Sequence, residues 1–237
     1  MSFPLAIIGT GKTGSRVLSL LESGEYEIEG LKPSLRSFND SNPLTMEALS
    51  GCKAAIVFVP GQSLVKIAPI LLEAKLPVVC GTTGFEYDAH FKSKVATRGT
   101  HWVVASNFSP LICALRGALE LLGKHPSLLD TQINLQETHH TGKKDAPSGT
   151  ALSWKDWLGQ DMQIQSFREG DVIGEHTLTI STKFENLTIQ HSAKSRDLFA
   201  SGAIRALEHL LRLKNESDFC GGVYTFAELE EKILCLN

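Results

Sequence analysis

The sequence lacks three features that would assign a broad class at once: an excess of charge of one sign, paired cysteines, and a long hydrophobic run. Its 23 basic and 26 acidic residues leave a net charge of -3, so nothing predicts a nucleic-acid partner. The five cysteines form neither a CxxC pair nor a zinc-ligand spacing, which is typical of reduced thiols. No apolar stretch approaches the roughly 20 residues that span a bilayer, and the start resembles no secretory signal. We therefore expect a cytoplasmic protein without a membrane segment.

The first hundred residues have the pattern of repeated strand and helix units. Short apolar runs alternate with longer amphipathic segments, which predicts a parallel sheet with helices on both faces. The predicted strands are Leu5–Ile8, Glu27–Leu31, Ala54–Val59, Pro77–Cys80 and Trp102–Ala105, and the predicted helices are Ser15–Leu21, Leu64–Ala74 and Tyr87–Ala96. This half has the pattern of an α/β, Rossmann-type nucleotide domain.

After Asn107 the pattern changes. A helix is predicted at Leu111–Leu122, and alternating polar and apolar residues predict strands beyond it. These strands are Thr131–Gln136, Gln163–Phe167, His176–Ser181 and Leu187–His191, and the last two predicted helices are Ala200–Leu213 and Ala227–Leu234. The second half is therefore predicted to be a smaller, mixed α+β domain, joined to the first by a hinge.

A glycine-rich turn lies between the first predicted strand and the first predicted helix. Gly9-Thr10-Gly11-Lys12-Thr13-Gly14 has the GxGxxG spacing of a dinucleotide-binding turn. Glycines allow a tight turn and a close pyrophosphate, and the first amides of the following helix attract phosphate. These six residues are predicted to bind cofactor, although glycines also simply end strands.

A second interpretation uses the same residues. Ala6 to Thr13 fits a relaxed Walker A motif with alanine in place of its first glycine, which would indicate phosphoryl transfer. Against it, Ile7 and Ile8 have the pattern of a buried strand, and the strand at Ala54–Val59 runs into Pro60 instead of a magnesium-binding aspartate. The dinucleotide interpretation is therefore preferred.

The residues after the second predicted strand bear on the choice of cofactor. NAD-binding domains carry an acidic residue about 20 positions beyond the glycines, where it binds the ribose hydroxyls. Here Lys32 and Pro33 follow Leu31 instead. A lysine at that place would pair with the 2′-phosphate of NADP, so Lys32 is predicted to bind cofactor, with NADPH preferred and NADH possible. A solvated basic turn is the alternative.

A polar loop after Gln136 concentrates ionisable groups. Residues 137–151 read ETHHTGKKDAPSGTA and lead into a helix with Ser148 as its expected N-cap. Its two histidines and Lys143, beside the first amides of that helix, could bind the carboxylates of a substrate, and one histidine or the lysine could donate a proton. A surface loop or a metal site is the alternative. No metal is predicted, because no partnered cysteine or carboxylate stands at a recognised metal spacing.

The same loop resembles the signature of the dihydrodipicolinate reductase family, E-x-H-H-x-x-K-x-D-x-P-S-G-T-A, at every fixed position. Further similar stretches follow in order along the chain: Gly81–Phe85, Ser106–Ser109, Gly174–His176, His191–Arg196 and Phe199–Ala203. The resemblance implies an NAD(P)H-dependent oxidoreductase. Its reaction would be the reduction of 4-hydroxy-tetrahydrodipicolinate (dihydrodipicolinate) to tetrahydrodipicolinate in the diaminopimelate route to lysine.

The resemblance also implies roles for individual residues. His139 and Lys143 would be the catalytic proton donors. The cyclic dicarboxylate substrate would be bound by His140, Ser148, Gly149 and Thr150, and the nicotinamide end of the cofactor by Gly81, Thr82, Thr83, Ala105, Ser106, Asn107 and Phe108.

The domains and assembly follow from the same resemblance. Residues 1–108 would bind the dinucleotide, residues 109–197 would bind substrate and join subunits, and residues 198–237 would return to the first domain. Family members are commonly homotetramers joined through the substrate-domain sheet, so a homotetramer is expected. Two alternatives stay open: a dinucleotide-binding sensor without catalysis, and a dehydrogenase of this architecture that acts on another substrate.

Overall fold

The computed structural model describes residues 3–28, 30–125, 127–128 and 131–235, and these form two compact units. The first unit comprises Met1–Ser109 and Asp197–Asn237, and the second comprises Pro110–Arg196. Among the described residues, no helix is both long enough and apolar enough to cross a membrane. Cys52 and Cys80 are buried free thiols, whereas Cys220 and Cys235 are exposed.

Helices and strands alternate along most of the described chain. In order they are β1 (Phe3–Ile8), α1 (Gly14–Glu22), β2 (Pro33–Phe38), β3 (Ala54–Val57), α2 (Gly61–Ala74), β4 (Val78–Cys80), α3 (Ala89–Thr97), β5 (His101–Val104), α4 (Pro110–Gly123), β6 (Gln132–His139), α5 (Gly149–Leu158), β7 (Gln163–Arg168), β8 (Glu175–Ser181), β9 (Asn186–Ser192), α6 (Asp197–Leu213), β10 (Gly222–Thr225) and α7 (Phe226–Leu234).

The first unit is built on a six-stranded sheet in the order β10-β5-β4-β3-β1-β2, with every neighbouring pair parallel. Ala6 and Ile8 of β1 pack with α2 and α3 in one core cluster, while α6 packs on β3, β4 and β5 and contacts α1. The strands are therefore apolar on both faces, as a parallel sheet between two helical layers requires. This confirms the predicted Rossmann-type fold.

The second strand of this sheet is not where the sequence placed it. β2 begins at Pro33, whereas the predicted strand Glu27–Leu31 is wrong: Ile28 and Leu31 form an isolated antiparallel bridge around Gly30, whose φ is +68°, and Glu29 lies outside the described residues. A positive φ suits a tight turn, and proline is tolerated at the first residue of a strand. The shift matters because Lys32 now precedes β2 instead of following it.

The C-terminal segment contributes to the same sheet. β10 pairs in parallel with β5 and becomes an edge strand, which the sequence did not predict because Gly222–Thr225 is only four residues long. Thr225 caps α7 through a capping box with Glu228, so the chain turns directly from strand into helix. α6 and α7 then pack on each other within the first unit.

The second unit is a four-stranded mixed sheet in the order β7-β6-β8-β9. Only β6 and β7 run parallel, which confirms the predicted mixed architecture. Leu135 of β6 and Leu178 of β8 point into a core that α4 and α5 complete, with Trp154 fully buried at its centre. Burial of this face fixes the strand register, because a slip of one residue would expose every core side chain.

Close packing of α4 against α5 depends on a glycine. A Cβ on Gly123 would lie 1.8 Å from the carbonyl oxygen of Leu158, whereas a Cβ on Gly117, in the same helix, would meet nothing within 4 Å. We expect Gly123→Ala to lower the free energy of unfolding by about 1–3 kcal/mol through overpacking. Gly117→Ala, the matched control, should raise it by about 0.5–1 kcal/mol. Urea denaturation measures both, and equal effects would contradict this packing.

Candidate active site

The carboxyl ends of the parallel strands place the predicted cofactor residues at one edge of the first sheet. The glycine turn follows β1, Gly81–Thr83 follows β4 and Ala105–Phe108 follows β5. β1 lies between β2 and β3, so the glycine turn is at the point where the strand order reverses. Open α/β sheets bind ligands at such a point.

The three glycines of the turn differ in what surrounds them. Gly9 has a φ of +89°, and a Cβ there would lie 2.1 Å from the carbonyl oxygen of Phe58. A Cβ on Gly14 would lie 1.8 Å from the carbonyl oxygen of Gly9, whereas a Cβ on Gly11 would meet nothing. Gly9 and Gly14 thus make the tight turn and the close helix contact, and Gly11 leaves open space above the backbone. This arrangement fits a pyrophosphate lying on the turn.

The Walker A interpretation does not fit the same geometry. Ile7 and Ile8 are buried in β1 and pair with both β2 and β3, so they cannot form part of a phosphate loop. β3 ends at Val57, and Phe58, Val59 and Pro60 follow it without an acidic residue. A phosphate loop with its magnesium ligand is therefore not formed by these residues.

The register of β2 moves Lys32 away from this edge. Pro33 pairs with Phe3 at the start of β1, whereas Phe38 pairs with Ile8, so Lys32 precedes the amino end of β2. Six residues of strand, roughly 20 Å, separate it from the glycine turn. Asn39 follows the carboxyl end of β2, where the ribose-binding residue of an NAD-binding domain is expected. Its Nδ2 donates to Thr10 Oγ1 at 3.1 Å. The prediction that Lys32 binds cofactor is therefore corrected.

The turn after β2 is held by Asn39 and carries an acidic side chain. Asn39 Oδ1 accepts from the backbone amides of Ser41 and Asn42, at 2.9 and 3.0 Å. Asp40 stands at the exposed tip of this turn. Neither residue was predicted to bind cofactor, although the turn-forming run Asn39-Asp40-Ser41-Asn42 was the available signal.

Phe58 joins the loops of the sheet edge and was also missed. A Cβ on Gly81 would lie 2.1 Å from the Phe58 ring, so Gly81 is needed for that packing. The Phe58 and Phe108 rings meet edge to face at 6.0 Å, and Phe108 is only 1% exposed. Phe108 therefore positions its loop through the core, which leaves the backbone of residues 105–107 as the part able to face a ligand.

In the second unit, β6 carries two ionisable residues on one face. Glu137 and His139 are two positions apart, so their side chains project to the same side of the sheet. The Glu137 carboxylate is fully buried, and Oε2 accepts a hydrogen bond from His139 Nδ1. Its other oxygen accepts from the Ser148 amide at 3.3 Å and from Arg168 Nη2 at 3.1 Å. The carboxylate is thus paired on both oxygens.

Arg168, the last residue of β7, binds the polar loop at several points. Besides Glu137, its guanidinium donates to the carbonyl oxygens of Lys143 and Asp145. The Lys143 ammonium lies 2.9 Å from the Asp145 carboxylate. Neither Arg168 nor Glu137 was predicted to be a site residue. Glu137 was visible as the first letter of the signature, whereas Arg168 gave no signal, since parallel pairing of β6 and β7 is what brings it near.

The predicted substrate residues lie at the start of α5. Ser148 is the N-cap, as predicted: its hydroxyl accepts from the Ala151 amide at 3.2 Å and contacts His176 Nε2 at 3.2 Å. Ser148 is only 1% exposed, so its hydroxyl supports the helix start more directly than it could bind a ligand. Gly149 and Thr150 form the first turn of α5, and His140 follows His139 in the loop.

Burial governs the protonation of this cluster. Burial lowers the pKa of His139, which the Glu137 carboxylate partly opposes and the charges of Lys143 and Arg168 reinforce. Burial alone would raise the pKa of Glu137, but hydrogen bonds from Ser166 and Arg168 and the neighbouring His139 hold it below its ordinary value. Burial and the charge of His139 lower the pKa of His176 to about 3. We therefore expect neutral histidines around an ionised Glu137 at neutral pH.

A metal ion would have to compete with these contacts. Among the described residues, Glu137, His139 and His176 are the group whose ligand atoms lie within 4.8 Å of one another. Both Glu137 oxygens are already bonded, one of them to the positively charged Arg168. A second cation beside that guanidinium would be repelled, so the geometry does not favour a metal.

Comparison of the sequence with known proteins points to one family. A profile described as "Dihydrodipicolinate reductase, C-terminus" matches residues 114–229. The chain is 32% identical to a 4-hydroxy-tetrahydrodipicolinate reductase of Staphylococcus epidermidis, over 95% of this chain and 99% of that protein. It is 30% identical to a protein of the same name from Natronomonas pharaonis, over 94% and 98%.

Solved structures share the fold. A dipicolinate-bound dihydrodipicolinate reductase from a Paenisporosarcina species superposes with a TM-score of 0.69 at 18% identity, over 95% of this chain and 98% of that one. An engineered D-amino acid dehydrogenase bound to NADP+ superposes with a TM-score of 0.55 at 12% identity, over 96% and 94%. These likenesses establish the architecture alone.

The low pKa of His176 gives a stability dependence that can be measured. Between its ordinary value of 6.5 and about 3, the unfolded chain binds a proton that the folded chain does not, so this stability is present above pH 6.5 and is lost as the pH falls. We expect the free energy of unfolding to fall by about 2 kcal/mol from pH 8 to pH 5 through His176. Urea denaturation at both pH values should show that the unfolding free energy of His176→Gln changes correspondingly less between pH 8 and pH 5. Substitution of the exposed His90 by Gln is the control, and an equal reduction there would contradict the assignment.

Proposed function

The chain belongs to the dihydrodipicolinate reductase family, and on that basis we propose how its own residues carry out the family's reaction. It is an oxidoreductase that reduces 4-hydroxy-tetrahydrodipicolinate (dihydrodipicolinate) to tetrahydrodipicolinate with a nicotinamide cofactor, in the diaminopimelate route to lysine. The observation that carries this conclusion is the match to full-length relatives, in a chain whose signature loop is intact and ordered by Glu137 and Arg168.

The two units are proposed to have different roles. The first unit binds the cofactor, with the glycine turn under the pyrophosphate and the backbone of Gly81–Thr83 and of residues 105–107 near the nicotinamide, while Phe108 anchors its loop in the core. When bound, the reduced cofactor supplies hydride. The second unit binds the substrate and supplies protons. Support for the first assignment comes from the open space above Gly11 and from the common edge that these loops share.

His139 and Lys143 are proposed to handle the proton that reduction of the ring requires. Each is held beside a carboxylate, His139 by Glu137 and Lys143 by Asp145. Such pairing orients the group and balances its positive charge. The lowered pKa of His139 makes its imidazolium form a stronger proton donor, and the ammonium of Lys143 can supply a proton as well.

The substrate carboxylates are proposed to bind His140, Lys143 and the start of α5. The helix begins at Gly149, and the first amides of a helix attract anions. Gly149 and Thr150 remain candidates for direct contact through their backbone. Ser148, which the sequence placed in the same group, is proposed to act indirectly by holding the start of the helix.

The register of β2 supports a different proposal for the cofactor preference. NADPH was favoured because of Lys32, which does not reach the sheet edge. Residues 37–44 contain no lysine or arginine, and Arg36 donates to the carbonyl oxygens of Ala48 and Ser50. We propose that the turn of Asn39 and Asp40 holds the adenosine ribose, so that NADH serves at least as well as NADPH. The Asp40 carboxylate would repel a 2′-phosphate.

The cytoplasmic location and the homotetramer remain predictions from the sequence. A tetramer would be joined through the sheet of the second unit. The surface proposed for that contact is the face of the sheet away from α4 and α5, which carries the exposed Gln136 and Gln165.

The reaction can be tested with the purified protein. We expect substrate-dependent oxidation of NADH and NADPH, followed by absorbance, when dihydrodipicolinate synthase generates the substrate in the same cuvette. His139→Gln should lower kcat by about 10²–10⁴-fold, the range of general acid-base catalysis, while cofactor binding persists. Without substrate there should be no oxidation. If both cofactors bind and neither is oxidised, the chain is a sensor or a dehydrogenase for another substrate.

The cofactor assignment has its own test. Asp40→Ala should raise kcat/KM for NADPH relative to NADH by about tenfold, because it removes a charge facing a dianionic phosphate. Lys32→Ala is the matched control and should leave the ratio unchanged. A ratio that responds to Lys32 and not to Asp40 would restore the sequence-based assignment.

A further inference from the structure

One guanidinium connects both proton-handling groups of the second unit. Arg168 Nη2 donates to Glu137 Oε1 at 3.1 Å, and Glu137 Oε2 in turn accepts from His139. Arg168 Nε donates to the carbonyl oxygen of Lys143 at 3.2 Å. The side chain of His139 and the backbone of Lys143 are therefore both fixed from a single residue of β7.

The donors around Glu137 determine which ring nitrogen of His139 holds the proton. The Ser148 amide and Arg168 both donate to Oε1, and Oε2 is the oxygen bonded to the His139 ring. An ionised carboxylate can only accept, so Nδ1 must carry a proton. In the neutral ring, Nε2 then has the lone pair.

Gly174 borders the opposite edge of the ring and has no side chain to cover it. A Cβ at residue 174 would lie 3.1 Å from His139 Nε2 and 3.4 Å from its Cδ2. The backbone of Gly174 therefore borders the Nε2 edge while Glu137 holds the Nδ1 edge. The ring has little freedom to flip, because a flipped ring would present the carbon Cδ2 to Glu137 in place of the bonded Nδ1.

We propose that Glu137 and Arg168 are positioning residues that hold the proton of His139 on Nδ1, so that Nε2 is the atom that exchanges a proton with the substrate. The inference rests on the proposed role of His139 and goes beyond it by naming the atom and the groups that select it. In the neutral ring Nε2 accepts, and in the imidazolium form it donates while the Glu137 carboxylate balances the charge.

The chain contains a second triad of the same groups, which provides a matched control. Arg205 Nη2 lies 2.9 Å from Glu230 Oε2, and His209 Nδ1 lies 2.6 Å from Glu230 Oε1. This triad joins α6 to α7 in the first unit, outside the loops assigned to the cofactor. Glu230→Gln therefore makes the same chemical change in an Arg-Glu-His set that serves packing.

Glu137→Gln reverses the tautomer without removing the side chain. Arg168 and the Ser148 amide require an acceptor at the position of Oε1, so the amide oxygen must occupy it and the amide NH2 must face His139. Nδ1 then becomes the acceptor and the proton moves to Nε2. Glu137→Asp keeps a carboxylate and should keep the original tautomer.

The tautomer is read by nitrogen NMR on the full-length protein with ¹⁵N-labelled histidine, with the His139 signals assigned from their absence in His139→Gln. We expect the Nδ1-H form in the wild type and in Glu137→Asp, and the Nε2-H form in Glu137→Gln. A wild-type ring that carries its proton on Nε2 overturns the inference without any variant. This readout does not depend on turnover, so it separates failure of the inference from failure of the proposed function.

Kinetics supply the second readout. We expect Glu137→Gln to lower kcat by about 10²–10⁴-fold with a much smaller change in KM for the cofactor, because a neutral amide cannot balance the charge of the imidazolium from which Nε2 donates, whereas the cofactor loops are unchanged. Glu137→Asp should recover a large part of that loss, and Glu230→Gln should leave kcat and its pH profile unchanged. A reversed tautomer with wild-type kcat, or an equal loss of kcat in Glu230→Gln, overturns the inference.

Discussion

The second unit depends on one buried charge, the carboxylate of Glu137. A carboxylate removed from water is strongly unfavourable unless it is paired, and removal of its partner costs about 3–5 kcal/mol. Glu137 is fully buried and is held by Arg168 from β7, the Ser148 amide from the start of α5 and His139 from its own strand. Strand, loop and helix must therefore adopt one arrangement to satisfy it. That requirement places the histidine and the helix start together.

The first unit is governed by a geometric constraint instead. In a parallel sheet every strand ends at the same edge, so the loops after β1, β4 and β5 converge although they are far apart in sequence. Gly9 and Gly14 allow the chain to turn tightly after β1 and to pack closely on α1, and Gly11 leaves open space above the turn. Backbone, more than side chains, shapes this edge, and Asp40 adds an exposed carboxylate beside it.

Prediction from sequence succeeded where a local pattern was strong. The apolar strands β1, β3 and β4, the GxGxxG turn and the N-cap Ser148 each follow from neighbouring residues, and the structure confirms them. β2 was misplaced because Ile28 and Leu31 look like a strand while Gly30 makes them a turn. β2 begins six residues beyond the predicted start, which puts Lys32 at the amino end of the strand and removes the basis for the expected NADPH preference.

The sequence by itself determined the fold class, the family resemblance and the ionisable loop, because these reside in periodicity and in contiguous motifs. Only the tertiary structure decided which groups act on that loop. Arg168 reaches Glu137 because β7 pairs in parallel with β6, and Asn39 reaches Thr10 because β2 pairs with β1 in one register. Strand pairing is set by burial of whole faces across the sheet, which no local segment of the sequence encodes.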